Sequence, residues 1–156
     1  MQQASRTTLV LGLGNPLSGD DAFGPQVIEQ LRRSEPQPPG ITLIDAHTDL
    51  LNYIEDFVTY DRVLLVDAIL DPERKLGEPG ALVLLDEAQL QSLPETSQSI
   101  HQMSPLLGVK LFRALHPESR TQITLIGLII DRLTVKPHYA EPGRIAEALA
   151  VIQKYI

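Results

Sequence analysis

Four aspartates, Asp20, Asp21, Asp45 and Asp67, and two histidines, His47 and His101, have the type and spacing in this chain that suit chemistry. Asp20 and Asp21 follow a glycine-punctuated stretch, Gly12 to Gly19, that separates a short apolar run from an amphipathic one. Asp is also favoured at a helix N-cap and in a first helical turn, so capping is the competing role, above all for Asp20. Asp45 and Asp67 each close an apolar run, ITLID and RVLLVD. With Asp21 they fall at the carboxyl ends of strands, where open α/β sheets hold their ligands, and there the three can converge. His47 follows Asp45 by two positions and approaches the same edge. His101 lies in SIHQMSP, where neither packing nor periodicity asks for an imidazole. His116, at a helix end before Pro117, suits the helix dipole, and His138 reads as a solvated loop residue. Asp21, Asp67 and His101 together form an oxygen and nitrogen ligand set for a borderline divalent cation such as Ni²⁺ or Zn²⁺. A bare acid/base carboxylate pair is the alternative.

The loop itself excludes phosphate chemistry. A dinucleotide fingerprint needs a third glycine where this chain has Leu17. Gly14 to Gly19 fits the glycine half of a P-loop, but Asp20-Asp21 replaces the lysine and hydroxyl that the motif requires. Two carboxylates repel a phosphate and attract a cation or a proton. A nucleotide-binding module on the glycine loop is the competing function from another class, one the Asp20-Asp21 pair counts against, and a conventional Zn-dependent hydrolase is the competing enzyme.

The surrounding elements must bring these groups to one edge. The patterns predict strands over residues 8–13, 41–45, 62–67, 80–85 and 123–130. Helices are expected from Ala22 to Leu31, from Asp49 to Val58, from Ser104-Pro105 to about Leu115 and from Arg144 to Ile156, with a helical turn over residues 87–93. Residues 94–102 and 136–142 read as irregular. This alternation predicts one domain over residues 1–156, a three-layer α/β/α fold on a mostly parallel sheet of about five strands.

With 43% hydrophobic and 21% charged residues the balance is ordinary for a globular domain. The absence of cysteine excludes disulfides, thiolate ligands and a cysteine nucleophile. A net charge of −7 without a basic cluster argues against nucleic acid and anionic membrane as partners. No apolar run is long enough to span a bilayer, and MQQASRTTLV lacks the pattern of a signal peptide, so a cytoplasmic monomer is expected.

The stretch Gly12-Leu-Gly14-Asn15-Pro-Leu17-Ser-Gly-Asp20-Asp21-Ala-Phe-Gly24, with Val66-Asp67-Ala68 and Ser99-Ile100-His101-Gln102, resembles the nickel–iron hydrogenase maturation endopeptidases. The likeness extends over nearly the whole chain. It implies an endopeptidase that removes the C-terminal extension of a hydrogenase large-subunit precursor after nickel insertion. Asp21, Asp67 and His101 would then bind the precursor's nickel, with no permanently bound cofactor and with Zn or Cd able to substitute in isolated protein. Asp20 and Asp45 are the candidates for activating water, and Asn15 and His47 for contacting substrate. The chain departs from the family pattern at Asp45-Ala46-His47-Thr48, where relatives usually carry Asp-x-Gly-Thr, and at Asp21, where Glu is common.

Overall fold

A computed structural model describes residues 6–34, 36–93 and 104–156. Its frame is a five-stranded sheet of β1 (Thr8–Leu13), β2 (Ile41–His47), β3 (Arg62–Leu70), β4 (Leu82–Asp86) and β5 (Gln122–Ile130), in the order β2-β1-β3-β5-β4. Four strands run parallel, and β4 joins the edge antiparallel to β5. β1 is buried along its whole length and β3 everywhere but its two ends, as the unbroken apolar runs require of strands covered on both faces.

The helices form the two outer layers. Phe23, Val27, Ile28 and Leu31 of α1 (Phe23–Arg33) pack with Ala148 and Ile152 of α4 (Pro142–Gln153) against Val10, Leu64, Val66 and Ile126. On the other face, Leu90 of α2 (Glu87–Gln91) and Val109 and Phe112 of α3 (Pro105–Leu115) pack with Leu50, Ile54 and Phe57 against Leu9, Leu11, Val63, Leu65 and Ile123. The expected three-layer arrangement is the one observed. Ser104 caps α3 by accepting from the Leu107 N–H, with Pro105 in the first turn, and Asp86 and Gln89 form a capping box at α2.

Some boundaries differ from the sequence expectation. The segment Leu50–Thr59 is a 3₁₀ helix in place of an α-helix. Of its apolar stripe Leu50, Ile54 and Phe57 are buried, whereas Leu51 and Val58 are exposed, and the Asp49 carboxylate accepts from the Asn52 side-chain amide and caps no backbone N–H. β2 continues past Asp45 to His47, β3 runs past Asp67 to Leu70, and β4 is displaced to Leu82–Asp86. The extension of β3 has a clear cause. β1 pairs with β3 only as far as Gly12 opposite Val66, whereas β5 continues the ladder from Asp67 opposite Gly127 to Leu70 opposite Ile130. Asp67 is thus the first β3 residue that has lost its β1 neighbour. The closing helix begins earlier, at Pro142, and ends at Gln153.

Candidate active site at the carboxyl edge of the sheet

β1 leaves the sheet after Leu13, and the chain turns through a 3₁₀ segment, Gly19–Ala22, into α1. Two glycines set this turn. Gly14 has φ +138, and a Cβ there would strike the Asp21 carbonyl. A Cβ on Gly24 would strike both the Leu13 backbone and the Val66 carbonyl, so α1 starts directly on the Val66–Asp67 peptide. The turn carrying Asp21 is thereby held at the edge where Asp67 lies.

The two adjacent aspartates have different surroundings. Both are buried, but Asp20 points into the polypeptide that follows β5. Its Oδ1 accepts three backbone N–H groups, from His138 at 2.7 Å, Tyr139 at 2.7 Å and Ala140 at 2.8 Å. Thr134 Oγ1 stands 3.4 Å from Oδ2. Capping of α1 is not its role, because the N-cap position of that helix is Ala22 and no side-chain hydrogen bond caps it. A carboxylate on three amides is a clamp that fixes residues 134–140 against the β1 turn. Nearby, partial burial and the Asp131 carboxylate hold the Tyr139 phenol above its ordinary pKa of 10.0.

Asp21 turns the other way. It accepts the Asn15 N–H at 2.8 Å through Oδ2 and forms part of the wall of a cavity of about 410 Å³. Asn15, Leu17, Ser18, Thr48, Leu133, Thr134 and Val135 complete the described lining, which includes no basic residue. Its rim is apolar and open, with Leu17 87%, Leu133 59% and Val135 88% exposed.

Asp67 is fully buried. It shares a face of β3 with Leu65 and Ile69, so its side chain leaves the strand toward α2 and α3, where it lines a cavity of about 40 Å³ with Leu90, Leu93, Ser104 and Pro105. His101, three positions before Ser104 in sequence, lies outside the described residues. Among the described residues, no three His, Asp or Glu side chains form a cluster able to hold a metal.

Asp45 does not converge with Asp67 as the sequence suggests. It pairs with Gly12, whose added Cβ would meet Ile28 and Gly24 of α1, so Asp45 leaves the sheet on the α1 face, opposite Asp67. Its Oδ1 accepts the His47 N–H at 3.0 Å and lies 3.7 Å from His47 Nδ1. His116 caps the end of α3 and pairs with Glu55 at 2.9 Å. The His138 ring is exposed as expected, but its backbone belongs to the Asp20 clamp, which sequence reasoning missed. No local signal announces a contact across 118 residues.

The fold and this edge define an open α/β protein with buried carboxylates placed where such sheets act on their ligands. The HycI hydrogenase maturation protease model matches residues 25–139, a span that contains Asp45, Asp67 and His101. The chain belongs to the hydrogenase maturation protease family and is accordingly a peptide hydrolase. Hydrogenase 2 maturation protease of Escherichia coli is 29% identical over 83% of this chain and 76% of that protein. The hydrogenase expression/formation protein HupD of Bradyrhizobium diazoefficiens is 35% identical over 64% of this chain and 55% of that protein. Among solved structures, the maturating endopeptidase HybD of E. coli superposes with TM-score 0.73 at 24% identity, over 96% of this chain and 91% of that one. The [NiFe] hydrogenase maturation protease HybD of Thermococcus kodakarensis matches at TM-score 0.73 and 25% identity, over 96% and 98%. No helix of the described residues is long and apolar enough to cross a membrane.

Proposed function

We propose that this protein removes the C-terminal extension of a nickel–iron hydrogenase large-subunit precursor once nickel has been inserted. The nickel is part of the substrate, held by the precursor, and is what the protease recognises. Asp21, Asp67 and His101 are the groups that meet it; no metal is permanently bound, and Zn or Cd substitutes in isolated protein. The observation that carries this reading is Asp21, a carboxylate only 4% exposed on the wall of an open cavity with no basic residue in its described lining. Such a wall favours a cation. The apolar rim of Leu17, Leu133 and Val135 supports a peptide as the companion ligand.

Of the two candidates for water activation, Asp20 is committed to three amides, which leaves Asp45. The protein acts as a cytoplasmic monomer, with neither nucleic acid nor membrane as partner. The test is anaerobic incubation with large-subunit precursors, with and without nickel, read by intact mass. Loss of a C-terminal peptide from the nickel-loaded form alone supports the proposal. Cleavage regardless of nickel identifies an ordinary peptidase, and no cleavage of any precursor overturns the assignment.

A further inference from the structure

The three most exposed large apolar side chains among the described residues are Val135, Leu17 and Leu133. All three line one cavity, the one that Asp21 walls. Scattered apolar residues on a surface need no explanation, but a group gathered around one opening marks a binding surface. They reach it from distant parts of the chain. Leu17 comes from the turn after β1, and Leu133 and Val135 from the segment after β5.

The fold fixes that segment while leaving these side chains uncovered. Gly19 has φ +56, and a Cβ there would lie 2.2 Å from the Thr134 carbonyl oxygen, so turn and segment meet backbone to backbone. Asp20 holds the far end of the segment through the His138, Tyr139 and Ala140 amides. Thr134 is half-buried between two exposed neighbours. The wall is therefore set before a ligand arrives, which lowers the ordering cost of binding. Arg132 and Lys136 flank the patch, exposed, and neither belongs to the described lining. The cavity, about 410 Å³, falls within the roughly 300–1,000 Å³ typical of ligand clefts.

We propose that Leu17, Leu133 and Val135 determine substrate specificity by receiving apolar side chains of the precursor next to the bond that is cut. The inference rests on the peptide-cleaving function proposed above and names what its substrate must carry. On that function the precursor's nickel meets Asp21, so the chain beside the metal passes over the apolar rim of the same cavity. An acidic side chain at that place would face the Asp21 carboxylate and is disfavoured.

The experiment measures kcat and KM separately on the nickel-loaded precursor. It compares wild type, the double variant Leu133→Ser with Val135→Ser, and the single variants Leu115→Ser and Lys136→Ser. All should melt alike, because every changed side chain is exposed. The double variant is expected to raise KM about tenfold with kcat nearly unchanged, because the lost apolar burial is common to bound substrate and transition state. Leu115→Ser removes an apolar side chain at the end of α3, and Lys136→Ser a charge beside the rim; both should leave KM unchanged. A second precursor carries serine in place of the apolar residues flanking the cut, which the product masses locate; finding none there overturns the proposal. Wild type should show a KM rise of the same size on it, and the double variant little further loss. An unchanged KM in the double variant, an equal rise in either single variant, or full additivity of the two losses also overturns it. Failure of wild type to cut the unaltered precursor refutes the proposed function, and this inference with it.

Discussion

The two ends of the sheet both carry charge and a cavity, yet they are built on different terms. At the amino end of β5 the larger cavity, about 720 Å³, is lined by Asp86, Glu87, Arg113 and Arg120 among others. There Arg113 is engaged within the fold through all three of its nitrogens. It forms a fork with Glu87 at 2.8–3.0 Å and donates to the Ser119 and Thr121 carbonyls. At the carboxyl end a smaller cavity has one carboxylate on its wall and no basic residue in its described lining. Cavity volume therefore does not locate the chemistry here. What marks the carboxyl end is a buried carboxylate on an open wall with an apolar rim.

The largest effects are expected at the carboxyl edge. Asp67→Ala and Asp21→Ala should each lower cleavage of a nickel-loaded precursor by about 100-fold, with the circular dichroism spectrum unchanged. Asp20→Ala separates the neighbours. It removes the acceptor from three amides, one buried and two part-buried, and should cost about 3 kcal/mol by denaturant unfolding, loosening residues 134–140. If Asp20→Ala were neutral for stability and as inactive as Asp21→Ala, the division between clamp and site would fail.

At the amino edge the expected losses are of stability alone. Arg113→Ala breaks a half-buried fork and should cost about 2 kcal/mol while turnover holds. The smallest effect lies at Asp61, which accepts the Thr7 N–H at 2.8 Å and the Thr7 hydroxyl at 3.1 Å. The first of these bonds, above all, holds its pKa below the ordinary value of 3.8. A lowered folded-state pKa contributes stability that is present above the unfolded value and lost as pH falls through the folded one. Asp61→Asn should therefore be slightly less stable than wild type near neutrality, with the difference closing in acid. A difference that grew in acid would reverse the assigned sign.

Much of this asymmetry is legible in the chain. TLVLGLG and RVLLVD announce buried strands, and the Asp20-Asp21 pair excludes a phosphate loop on charge alone. What the sequence conceals is set by distant partners. Asp67 reads as a strand terminus, because nothing local shows that β1 stops one residue short of it while β5 continues the ladder. Asp20 and Asp21 are chemically identical neighbours. Only the return of residues 138–140 past Asp20 makes one a clamp and leaves the other facing the cavity. The left-handed backbone of His47, φ +52, is equally invisible, since it falls where the β1–β2 register shifts after Gly12. Local pattern sets which residues are buried; the topology of the edge sets what a buried charge is for.

The most direct test runs Asp21→Asn beside Arg113→Ala on the same nickel-loaded precursor, reading cleavage by intact mass and stability by thermal melting. Asparagine can still accept the Asn15 N–H, so Asp21→Asn should melt near wild type and leave the precursor uncut. Arg113→Ala should melt lower and cut normally. An active Asp21→Asn beside an inactive Arg113→Ala would place the chemistry at the wrong end of the sheet and contradict the account.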